Sequence, residues 1–194
     1  VSLCLLFTLG AVAQTAYVLT GSANRKMNDG KSVIYAFDIS TPWIASEVCY
    51  AEETEACFGV LGTLAESVYY AYMETETESG NTTNMFCSLN MTTGKKVVLG
   101  HGYELAYAVD MCYDETTKTI YLLRKDFVVK NEETGEGAYV MELCTVNPQN
   151  GQITSFVTLP EEATDYKIAG ITPDGKGNLY MLGMAPYTPM DGEN

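Results

Sequence analysis

The sequence predicts an all-β fold made of repeated four-stranded antiparallel units. Short β-rich runs recur with a tyrosine at a fixed place, turn residues separate them, and no stretch has a useful helical period. The tyrosine runs are Ser67–Met73, Thr119–Arg124 and Asn178–Gly183, which set Tyr70, Tyr121 and Tyr180 51 and 59 residues apart. A second series, Tyr35–Ile39, Cys87–Met91 and Cys144–Pro148, spaces Asp38, Asn90 and Asn147 by 52 and 57 residues. A third, Cys57–Leu61, Ala106–Cys112 and Lys167–Ile171, precedes the tyrosine runs. A period of about 50 residues made of short strands reads as radial β repeats.

The elements follow in chain order. Val1–Gly10 is an apolar run too short to span a bilayer, and Ala11-Val12-Ala13 has the small-x-small form cut by a signal peptidase. Residues 1–13 are expected to be a leader clipped at its start, and 14–194 the mature domain. The alternative is a buried N-terminal strand. The first unit is expected to begin at its second strand, 17–22. The second unit reads as strands 57–63, 67–74, 83–91 and 95–99. The third reads as 106–113, 118–125, 138–146 and 152–158. The fourth ends after its second strand, near Gly183. Asp114–Lys118, Thr93-Gly94, Asn150-Gly151 and Asp174-Gly175 supply the positive-φ residues of tight hairpins.

Two hairpins, Ser88–Lys95 and Thr145–Gln152, resemble the "x-Leu-Asp-x-x-Thr-Gly-Lys" turn of quinoprotein-like and YVTN-like β-propellers. Ile168–Tyr180 resembles the inner hairpin of the same superfamily and of NHL-type and lactonase-type propellers. The resemblance implies a β-propeller of four-stranded blades, of which about three and a half are present. The alternative is a small, complete twisted β domain. The tryptophan of quinoprotein repeats is missing, since Trp43 lies elsewhere, so no quinone cofactor is implied.

Composition narrows the function. The 194 residues are 46% hydrophobic and 19% charged, which excludes wholesale disorder. A net charge of −14 argues against nucleic acid and against an anionic membrane surface as partners. No stretch is long and apolar enough for a membrane span. The single histidine excludes multi-histidine metal sites. Five cysteines follow the leader: Cys49, Cys57, Cys87, Cys112 and Cys144. An exported chain can pair Cys49 with Cys57 across one acidic loop, and the alternative is that all five are buried strand residues. Cys87 and Cys144 hold the same place in the second series, as strand residues rather than reactive thiols.

In a propeller, loops alternate between two faces. One set is short here, and the other is long: Ala23–Ser32, Thr75–Thr82 and Asp126–Gly137, with joints Ala51–Ala56, Gly100–Leu105 and Pro160–Tyr166. Long loops on a rigid scaffold are where ligands bind. Acid gathers on them, which marks Glu53, Glu74, His101, Tyr103, Glu104, Asp126, Glu132 and Asp165 as ligand-face candidates. Such a face attracts a cationic partner or holds Ca²⁺ through oxygen ligands, and the alternative is a solubilising surface. No Asp-x-Asp-x-Asp-Gly loop, Gly-x-Ser-x-Gly elbow or phosphate-cradling glycine loop occurs. The expectation is an exported propeller that binds a protein or carbohydrate through its acidic long-loop face. The alternative is a lactonase-like or quinoprotein-like propeller enzyme with part of its active site outside this chain.

Overall fold

A computed structural model of the chain describes residues 15–20, 33–50, 61–76, 79–103, 105, 108–165 and 167–184. The leader expected over 1–13 lies outside the described residues. So does Cys57, and with it the pairing expected for Cys49.

Among the described residues, thirteen strands form four antiparallel sheets in chain order. Sheet 1 is β1 (Thr15–Thr20), β2 (Val33–Asp38) and β3 (Ala45–Tyr50). Sheet 2 is β4 (Leu61–Ala65), β5 (Val68–Glu76), β6 (Thr82–Asn90) and β7 (Lys96–His101). Sheet 3 is β8 (Ala108–Asp114), β9 (Thr119–Asn131), β10 (Glu136–Val146) and β11 (Ile153–Thr158). Sheet 4 is β12 (Lys167–Pro173) and β13 (Leu179–Met184). Within each sheet consecutive strands pair, so sheets 1, 2 and 3 are meanders and sheet 4 is a hairpin. The all-β, repeated four-stranded organisation expected from the periodicity is present in sheets 2 and 3.

The turns explain the second repeated series. Asp38, Asn90 and Asn147 each close a strand and accept a backbone N–H two residues on, at 2.7, 2.9 and 2.9 Å. A short side-chain acceptor at this place builds the turn locally. Gly94 and Gly151 then take φ of 68° and 74°, the left-handed conformation that favours glycine.

Strand alternation buries both faces of the middle sheets. On β5, Ala71 and Met73 face sheet 1 and pack with Ile34, while Tyr72 faces sheet 3. On β9, Ile120 and Leu122 face sheet 2, and Leu123 faces sheet 4 and packs with Ile171. Period-two side-chain direction thus turns one strand into two core surfaces, and the sheets stack in chain order. The first strands line up as well: β8 lies against both β4 and β12. Asp110 on β8 locks one of these contacts, because its Oδ2 accepts the Ile171 N–H at 2.9 Å.

Three features differ from expectation. Asp126–Gly137 was expected as a loop, but β9 and β10 continue through it as a paired hairpin down to a four-residue turn, 132–135. The 75–82 loop shortens similarly, because Thr75 pairs with Thr83 and Glu76 with Thr82. A one-turn helix, α1 (Glu162–Asp165), stands in the joint between sheets 3 and 4. No described helix is long and apolar enough to cross a membrane.

Candidate functional site

The site is a cleft between sheets 2 and 3, and it begins as a departure from the repeat. Counting from Tyr70 and Tyr121, Met73 on β5 corresponds to Arg124 on β9. Counting from Asn90 and Asn147, Met85 corresponds to Glu142. Met73 pairs with Met85 across sheet 2, and Arg124 pairs with Glu142 across sheet 3. The methionines are 0% and 4% exposed and seal the core toward sheet 1. At the same place sheet 3 presents an ion pair toward sheet 2.

Arg124 donates to Glu142 Oε2 from Nε at 3.0 Å and from Nη2 at 2.8 Å. Nη2 also reaches Asp126 Oδ2 at 3.4 Å. The second Glu142 oxygen accepts the Ser155 hydroxyl at 3.3 Å. One half-buried cation therefore sits between two carboxylates. Side-chain exposures of 30% for Arg124 and 13% for Glu142 make the pair less screened than a surface one.

The cleft beside this pair is open and shallow, has a volume of about 420 Å³ and is lined by Gly102, Tyr103, Arg124, Asn150, Gln152 and Ile153. Its sheet 2 wall is the joint after β7. That joint is pinned to β6, because Asn84 O accepts the Gly102 N–H at 2.8 Å and Asn84 Nδ2 donates to Tyr103 O at 3.1 Å. The Tyr103 hydroxyl donates to Asn150 O across the cleft. Tyr103 packs in turn on buried rings: the Tyr72 ring lies 4.8 Å from Phe86 and 5.4 Å from Tyr103, centroid to centroid. Tyr72 donates to Gly151 O at 2.6 Å, which ties sheet 2 to the β10–β11 turn.

The cleft is lined by a guanidinium, a phenol and side-chain amides. Cys144, behind Arg124, is fully buried, and burial raises its thiol pKa. Cys112 is buried too, and desolvation pushes its thiol up to about 12. Neither is poised as a thiolate nucleophile. Among the described residues no group of three or more His, Cys, Asp or Glu side chains could hold a metal ion.

The residues marked from the sequence do not gather in one place. Tyr103 lines the cleft, and Asp126 belongs to its ion-pair cluster. Glu74 pairs across the strands with Asn84, the residue that holds Tyr103. His101 ends β7 and is exposed. Glu132 stands apart, exposed on the β9–β10 turn, and Asp165 lies in α1. Glu53 and Glu104 lie outside the described residues. Arg124, Glu142, Asn150 and Gln152 were missed. Aligning the repeats would have exposed the first two, as charges set against methionines.

No protein-family model matches the chain, and no curated protein is detectably similar to it.

Proposed function

We propose that the stacked sheets are blades of a β-propeller and that the chain is an exported binding module for a cationic protein partner. The observation that carries this reading is an asymmetry of charge between the two ends of the sheets. At the end where β5 turns into β6 and β9 into β10 stand Glu74, Asp126, Glu132, Glu133, Glu136, Glu161 and Glu162. Arg124, Lys125, Lys130 and Lys167 are the described basic residues near them. At the opposite end Lys95, Lys96, Lys118 and Lys176 offset Asp38, Glu66, Asp114, Glu115 and Asp174. A surface on which one sign predominates raises the local concentration of oppositely charged partners and speeds their encounter.

A fluorescent lysine-rich peptide titrated at low and high salt tests the reading. Binding should weaken steeply with salt and should fall when Glu132, Glu133 and Glu136 are changed together to Gln. Equal binding by that variant would sink the reading. Export is tested separately by N-terminal sequencing of the secreted product, which should start at Gln14.

A further inference from the structure

Sheet 3 is seated on sheet 2 through the β10–β11 turn, and that turn holds the one Asn-Gly step in the sequence, Asn150-Gly151. Such a step is chemically labile. Glycine has no Cβ to keep its backbone nitrogen away from the preceding side-chain amide carbon. The other described asparagines, Asn81, Asn84, Asn90, Asn131, Asn147 and Asn178, each precede a residue with a side chain. Asp174-Gly175 has the same spacing, but Asn178 and the Lys176 N–H hold its carboxyl below the usual range, and an ionised carboxylate is a poor electrophile.

The docked turn withholds the reaction. Cyclisation requires the Gly151 nitrogen to lose its proton and swing onto Asn150 Cγ. That N–H is donated to Asn147 O at 2.7 Å, and Gly151 is buried against Phe86, whose ring an added Cβ would strike. The Asn150 side chain is held as well, because its Oδ1 accepts the Gln152 N–H at 2.9 Å. Both carbonyls of the step are tied to sheet 2: Asn150 O accepts the Tyr103 hydroxyl, and Gly151 O accepts the Tyr72 hydroxyl at 2.6 Å. The turn gains the freedom to cyclise only by lifting off these rings.

We propose that Asn150 is a modification site, shut while sheets 2 and 3 are docked and open when they part, and that its product keeps the turn from reseating. When the turn lifts, the Gly151 nitrogen gives its proton to water and attacks Asn150 Cγ. The N–Cγ bond forms, the Cγ–Nδ2 bond breaks, and the amide nitrogen leaves with a proton as ammonia. One water molecule then opens the cyclic imide. Addition at Cγ leaves an ordinary aspartate side chain. Addition at the Asn150 backbone carbonyl leaves a chain that runs through Cγ, one methylene longer, with that carbonyl now part of a free carboxylate. The longer chain cannot hold the Gly151 N–H on Asn147 O and the Gly151 carbonyl on Tyr72 together. A transient local opening thus becomes a lasting one, with water as the only reagent. This inference stands apart from the binding reading, since it concerns only the seat between the sheets.

The test holds the purified 194-residue chain in mildly alkaline buffer and follows Asn150 by peptide mass spectrometry, with backbone fragmentation to separate the two products. Conversion in the folded chain should be about tenfold slower or more than in the urea-unfolded chain, because it waits for local opening. Tyr72→Phe and Tyr103→Phe, each of which removes one tie, should speed it about fivefold or more. Thermal melts show that both variants are folded. Equal rates in the folded and unfolded chains, or rates unmoved by both variants, would overturn the gating. Urea midpoints read the second half. The product with the longer backbone should unfold at lower urea than the unmodified chain. Asn150→Asp adds the same charge but keeps the chain length and the acceptor for the Gln152 N–H, so it should stay near the unmodified midpoint. If the longer product matches Asn150→Asp, the turn reseats and that half of the proposal falls.

Discussion

Arg124 and Glu142 occupy in sheet 3 the place where Met73 and Met85 close the core of sheet 2. The pair is joined by two hydrogen bonds, and Ser155 and Asp126 take up its outer groups. An ion pair at a position the scaffold can fill with methionine is not needed for the fold. Desolvation offsets much of the attraction between such charges, whereas removing one partner leaves the other half-buried and uncompensated. Arg124→Met should therefore destabilise the protein by about 1–2 kcal/mol, discounted for the pair's partial exposure. Adding Glu142→Met should recover most of that loss. Urea midpoints of the single and double variants check this. A double variant no better than the single one would show that the pair supports the sheet itself.

The Tyr72 hydroxyl reaches Gly151 O, and the Phe86 ring lies against the Gly151 Cα, so one turn of sheet 3 is seated on two rings of sheet 2. Gly151→Ala should be strongly destabilising, by about 2–4 kcal/mol, because the methyl meets Phe86 and the residue must hold φ 74°. Tyr72→Phe removes one buried hydrogen bond and leaves the carbonyl unmatched, which should cost about 1–2 kcal/mol. Denaturant titration ranks the two. A larger loss for Tyr72→Phe would mean that the turn tolerates a Cβ by moving off Phe86.

Stability should fall at both extremes of pH. The Ser40 hydroxyl and N–H hold the Asp38 carboxyl below the usual range, the Thr116 N–H does so for Asp114, and the Asn178 amide does so for Asp174. Depressed folded-state pKa values give stability that is present above the unfolded value of about 3.9 and lost as pH drops below it. On the alkaline side, burial raises Cys112 to about 12 and pushes Cys144 and Tyr72 upward too. Between an unfolded thiol value of about 8.5 and the folded one, the unfolded chain binds fewer protons, so stability declines as pH rises. Melting curves from acid to alkaline pH should show a plateau between these limits. Asp114→Asn should make the acid limb shallower, and an unchanged limb would remove Asp114 from this account.

Much of the fold was legible because its signals are local. Asp38, Asn90 and Asn147 build their turns with their own side chains, so their spacing marks hairpins with no knowledge of packing. Alternation then yields two buried faces per strand, as Tyr72 and Met73 do. The outer part of the β9–β10 hairpin reads as a loop in the sequence because Glu132-Glu133-Thr134-Gly135-Glu136 has loop composition. There Asn131 repeats the same turn, with Gly135 at φ 71°, and the Phe127–Tyr139 and Val128–Ala138 pairs extend the ladder on either side of it. The cleft was half visible. Tyr103 stood out on a loop, but Arg124 lies within a β-rich run and gains meaning only against Met73 of the previous repeat.

Sheet 4 exposes large apolar side chains on β13. Repeat spacing makes Leu182 on β13 the counterpart of Tyr72 and Leu123, each 0% exposed against the next sheet. Leu182 itself is 70% exposed, beside Tyr180 at 57% and Met184 at 54%. A strand face that the repeat buries elsewhere is an adhesive surface when open. The purified chain should therefore bind a hydrophobic dye and self-associate with rising concentration, as read by analytical ultracentrifugation. Leu182→Lys should suppress both while changing the urea midpoint by no more than about 0.5 kcal/mol of stability, because the side chain has little to lose. A loss of about 2 kcal/mol or more would instead mean that Leu182 is covered in solution, since only a buried leucine is so costly to replace.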